Sequence, residues 1–94
     1  MRSFEPLPTE RAALIARIKK VMFTPTRFHG GYDEREVDDF LDAVVASLGG
    51  SSTQIAPARI RDEVFAQTRF KGGYRIEDVD EFRRLLAYAV ERLR

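Results

Sequence analysis

One stretch of the chain is written twice. TRFHGGYDEREVDDFLD begins at Thr26 and TRFKGGYRIEDVDEFRR begins at Thr68. Sliding the sequence against itself by about 42 residues places Arg17, Ile18 and Phe23 on Arg59, Ile60 and Phe65. The same shift carries Thr26, Arg27, Phe28, Gly30, Gly31 and Tyr32 onto Thr68, Arg69, Phe70, Gly72, Gly73 and Tyr74, then Val37, Asp38 and Phe40 onto Val79, Asp80 and Phe82. This is an internal duplication. Within 94 residues each copy is too small to bury an adequate apolar surface alone, so the two must share one core.

Each copy reads as helix, loop, helix. Thr9 is the expected N-cap of the first helix, and Leu14, Ile15, Ile18, Val21 and Met22 follow the three-and-four spacing of one helical face up to about Phe23. Pro25 and the Gly30–Gly31 pair interrupt the chain between Thr24 and Tyr32. Asp33 with Glu36 then reads as an acidic capping box, and Val37, Phe40, Leu41, Val44, Val45 and Leu48 form the buried stripe of the next helix. Residues 1–48 are thus a first repeat, 49–56 a Gly/Ser-rich flexible connector, and 57–94 a second repeat. Pro57 opens that second copy, with Ile60, Val64 and Phe65 expected inside. In the last helix Ile76, Val79, Phe82, Leu86, Ala89 and Leu93 approach a coiled-coil pattern, and its cap position is Arg75 where the first copy has Asp33, a weaker start. The fold class expected is all-α: two helix-loop-helix repeats packed around a pseudo-two-fold axis, with a coiled-coil-like last helix. Phe23, Val37, Phe40, Val44, Phe65, Val79, Phe82 and Leu86 are the expected repeat interface. The pairing is either an intrachain pseudo-dimer or a homodimer.

Chemistry-bearing residues are sparse. His29 is the single histidine, cysteine is absent, and Glu36, Asp38, Asp39 and Asp42 fall where an amphipathic helix keeps its wet face. The glycine pair lacks the spacing and lysine of a phosphate loop. No enzyme, cofactor or metal is expected. Although 33% of residues are charged, the net charge is only +1, which argues against bulk nucleic-acid binding. Nowhere do eighteen apolar residues run together, and the N-terminus has no signal-like apolar run, so a soluble, cytoplasmic protein is expected.

RFHGGY and RFKGGY remain. If the glycines fold each loop to a tip, Arg27, Phe28 and His29, with Arg69, Phe70 and Lys71, suit a membrane surface: the ring enters the acyl boundary and the cations meet anionic headgroups. Phe28 and Phe70 tucked under the helices as core residues is an equally physical arrangement.

The arrangement of Phe23 or Phe65, a basic-aromatic loop and then GGYDEREVDDFLD or GGYRIEDVDEF resembles the N-terminal domain of the DivIVA family of bacterial cell-division and polarity proteins. The match lies at Gly31, Tyr32, Asp33, Glu36, Val37, Asp38, Phe40 and Leu41, and again at Gly73, Tyr74, Val79, Asp80 and Phe82. The resemblance implies an intertwined parallel arrangement of helix, crossed loop and coiled coil. It implies a loop phenylalanine and arginine that bind anionic membrane at the inner face of the cell membrane, and division or wall-synthesis proteins as partners. The tip role would then fall on Arg27, Phe28, Arg69 and Phe70, with His29 and Lys71 beside them. Gly30 and Gly72 stand where the family usually has arginine, and Leu41 and Asp42 become Arg83 and Arg84 in the second copy. The other function class is an adaptor that docks a division protein or a DivIVA relative along an apolar helix seam, which exposure of Leu85, Tyr88 or Leu93 would favour.

Overall fold

The computed structural model describes residues 4–27, 29–69 and 71–93. It is all-α, with helices α1 (Arg11–Lys20), α2 (Glu34–Leu48), α3 (Pro57–Asp62) and α4 (Ile76–Glu91). No strand forms among the described residues, only isolated antiparallel bridges where the two loops meet.

Glu10, not Thr9, caps α1: its carboxylate accepts hydrogen bonds from the N–H groups of Ala12 and Ala13. The carboxylate satisfies two orphan donors at once and adds negative charge at the helix start. α1 stops at Lys20 because Val21 turns to extended backbone at φ −65°, ψ 141°. α3 stops equally early, at Asp62. The apolar residues beyond these ends therefore leave the helical face on which their spacing placed them. Met22 is 75% exposed and Val64 86% exposed, whereas their neighbours Phe23 and Phe65 are buried. An extended backbone alternates its side chains, so burying one ring turns the preceding residue out.

Pro57 occupies the first turn of α3, where its missing N–H costs nothing. α2 starts as its sequence requires, with Asp33 accepting the Glu36 N–H. Arg75 gives α4 no side-chain cap. The connector is tied down: the Ile55 N–H donates to Ser47 Oγ at 3.0 Å, the Gln54 amide donates to two carbonyls, and Ile55 is buried.

All eight expected interface residues are buried. Close helix packing runs within each repeat, α1 on α2 and α3 on α4, while the buried side chains of both repeats form one hydrophobic cluster. What passes between repeats is loop and ring. Phe23 packs edge-on against Phe82 at 5.7 Å, and Phe65 against Phe40 at 5.6 Å. Each first-helix exit thus plugs its phenylalanine into the other repeat's second helix. Phe4 joins the first cluster at 5.5 Å from Phe82, a use of the N-terminal segment that its two prolines did not foretell.

Beneath the rings the backbones cross. Tyr32 and Tyr74 each donate an N–H to the other's carbonyl at 2.9 Å; Thr26 N–H donates to Gly73 O and Thr68 N–H to Gly31 O, both at 2.8 Å. Every such bond has its counterpart at the repeat offset with donor and acceptor copies exchanged. The crossing is so close that a Cβ on Gly30 would overlap the Thr68 carbonyl oxygen, and one on Gly72 the Thr26 carbonyl oxygen. Hence both copies keep the glycines: the neighbour is rigid backbone, not a yielding side chain. Gly30→Ala and Gly72→Ala are each expected to cost about 1–3 kcal/mol by overpacking, against less than about 1 kcal/mol for Gly49→Ala, where the nearest atom is 3.3 Å away. Urea unfolding of the three variants measures the difference.

Candidate functional site

The crossing positions the candidate tips. A Cβ built on Gly72 would lie 3.6 Å from Arg27 Cα, and one on Gly30 3.7 Å from Arg69 Cα, so each tip abuts the glycines of the other. Arg27, His29, Arg69 and Lys71 are all exposed. Among the described residues none of them pairs with a carboxylate. His29 borders a depression with Arg75 and Glu77 at the start of α4, and Lys71 one with Asp33, Glu34 and Arg35 at the start of α2. The loop crossing therefore sets Arg27 beside the Lys71–Gly72 end of the other loop and Arg69 beside the His29–Gly30 end, each next to a depression of mixed charge. Phe28 and Phe70 lie outside the described residues.

Below the tips, each second helix grips the other repeat's incoming extended segment. The Asp33 N–H donates to Ala66 O at 2.8 Å and the Ala66 N–H to Glu36 Oε1 at 2.8 Å. Correspondingly, the Arg75 N–H donates to Thr24 O and the Thr24 N–H to Asp78 Oδ2, at 2.8 and 2.9 Å. Glu36 is thus only half of the expected capping box. Its carboxylate reaches across to the other copy instead of back to Asp33. Asp78 does the same from a fully buried position and also pairs with Arg75 at 3.0 Å. Burial alone would raise the Asp78 pKa, but hydrogen bonds from Thr24 and the Arg75 guanidinium outweigh it and hold the group below its ordinary 3.8.

Two tyrosines complete the joint. Tyr32 donates its hydroxyl to Asp80 and Tyr74 to Asp38, each at 2.8 Å. Asp38, placed by its spacing on a wet helical face, is a cross-repeat acceptor. Burial, the Asp38 hydrogen bond and the charges of Asp38 and Glu34 push Tyr74 up to about 12. Burial and Asp80 raise Tyr32 as well, opposed by Arg83. The only signal for these pairs in the sequence was the joint repetition of tyrosine and the aspartate six residues later. Arg83, which the resemblance left as a mere departure, lies over the rings of Phe65 and Tyr32 at 5.1 and 5.7 Å.

No protein-family model, curated protein or solved structure matches this chain.

Geometry alone therefore describes the site: two cationic tips on a hydrogen-bonded joint, with no convergent His, Asp and Glu cluster able to hold a metal among the described residues. No described helix is long and apolar enough to cross a membrane.

Because the folded pKa of Asp78 is depressed, its contribution to stability is present above its ordinary value and is lost as pH falls through the folded value. Asp78→Asn is expected to lower stability by about 1–3 kcal/mol at neutral pH. That deficit should narrow as the pH drops below 3.8, in parallel denaturant titrations of the two proteins.

Proposed function

We propose that the chain is a non-catalytic, DivIVA-like module of bacterial cell division or polar growth, which targets an anionic membrane surface through its paired loop tips. The observation that carries this reading is that Arg27, Arg69 and Lys71 are exposed and without carboxylate partners among the described residues, on two loops that cross and abut one another's glycines. Each cation near an anionic leaflet contributes about 1 kcal/mol. An inserted phenylalanine adds at most about 1.5–3 kcal/mol, so one tip alone binds weakly. Two tips on one rigid joint gain by effective concentration, because the second meets the surface once the first has landed.

The adaptor reading draws less support from the C-terminal helix. Tyr88 is 56% exposed, as that reading asked, but the Arg92 guanidinium lies over its ring at 3.5 Å, and Leu85 and Leu93 pack against the core. A division or wall-synthesis partner is part of the proposal.

Co-sedimentation with vesicles tests it. Binding is expected with anionic but not zwitterionic vesicles, weakening as salt rises, and Phe28→Ser with Phe70→Ser together should abolish it, as should Arg27→Glu with Arg69→Glu. Unchanged sedimentation of a folded F28S/F70S protein would remove the reading.

A further inference from the structure

The joint is built twice but plugged once. In the second repeat Arg83 fills the space beside it: its guanidinium covers Phe65 and Tyr32, pairs with Asp80 at 3.0 Å, and donates to the Glu63 carbonyl oxygen. Its side chain is only 14% exposed. An arginine so placed satisfies a carbonyl, a carboxylate and two aromatic faces with one planar group.

In the first repeat every partner of that guanidinium is present and the guanidinium is not. Phe23 and Tyr74 meet at 5.2 Å, as Phe65 and Tyr32 do at 5.4 Å. Tyr74 is hydrogen-bonded to Asp38 as Tyr32 is to Asp80. Val21 stands at the position of Glu63, and among the described residues nothing donates to its carbonyl. At the position of Arg83 is Leu41, too short and without charge, and at that of Arg84 is Asp42. The result is a groove of about 430 Å³ walled by Val21, Met22, Leu41 and Val45, with Asp38 and Asp42 along one side. Neither aspartate is in an ion pair among the described residues, although Lys19 also lines the groove. Met22, 75% exposed, adds an adaptable apolar lip.

We propose that this groove docks a segment of a partner protein through an arginine flanked by apolar residues, its guanidinium taking the place in the first repeat that Arg83 takes in the second. The charge complement selects a cation, and the rings and carbonyl select a planar one, so a lysine ammonium would satisfy only the carboxylate. This proposal stands on the groove alone and does not require the loop tips to bind membrane.

The test is an amide chemical-shift titration of the isotope-labelled full chain with the blocked peptide Ac-Leu-Arg-Leu-NH2 and its citrulline and lysine counterparts. Saturable shifts centred on Val21, Leu41, Asp42, Val45 and Tyr74 are expected for the arginine peptide, with affinity at least about fivefold weaker for citrulline, which keeps the shape and loses the charge. Leu41→Arg should supply the missing plug, raise the melting temperature and abolish the shifts. Asp38→Asn should weaken them without unfolding the chain, and it decides the matter if L41R fails to fold. Equal binding of the arginine and citrulline peptides, shifts elsewhere, no shifts, or undiminished binding by D38N would overturn the proposal. So would peptide-free shifts at the same amides that grow with protein concentration, since a second copy would then be the occupant.

Discussion

The structure depends on a mutual exchange of backbone hydrogen bonds between two loops. Tyr32 and Tyr74 bind one another head to tail, and the threonine and glycine bonds on either side repeat the exchange with the copies reversed. Backbone groups buried away from water must find partners, and here each loop's partners lie in the other loop. This explains why the loop is the most faithfully repeated part of the chain. A side chain added at Gly30 or Gly72 disturbs the other copy's backbone, so each loop constrains its sibling.

Around this joint, charged groups act as clasps. Glu36 and Asp78 each accept an N–H from the extended segment entering from the other repeat, while the N-cap residues of their own helices donate to that segment's carbonyls. Clasp and helix cap are divided differently in the two copies: Asp33 caps its own helix, while Arg75 leaves its helix uncapped and neutralises the buried clasp Asp78. A buried carboxylate without such compensation would be costly, which ties the substitution at 75 to the burial at 78.

The helices, the shared aromatic core and the duplication were legible in the sequence because each writes a periodic or repeated signal. What crosses between repeats was not. Phe23 and Phe65 read as inward residues, yet no spacing says that each enters the other repeat's cluster, and Met22 and Val64 were drawn onto a helical face by a periodicity that continues past the true helix ends. Asp38 and Glu36 fall on a solvent face in any helical projection. Only the neighbouring repeat converts them into acceptors, and a projection of one helix contains no neighbour. The tip residues were visible as a motif, but that each tip abuts the other copy's glycines follows from the crossing of the loops. The Leu41 and Arg83 difference was plain as letters and mute as physics until the two surroundings could be compared.

The connector, with Gly50 at a positive φ of 104°, bears a role out of proportion to its size. Since every backbone bond of the joint is reciprocal, that exchange does not distinguish a half-molecule of the same chain from one belonging to a neighbour. Kinship is decided by the tether, which keeps the sibling half at a high local concentration and leaves strangers at the concentration of the solution. Shortening those few residues until they no longer span the gap would turn a self-contained fold into an exchanged oligomer with every backbone bond of the joint kept.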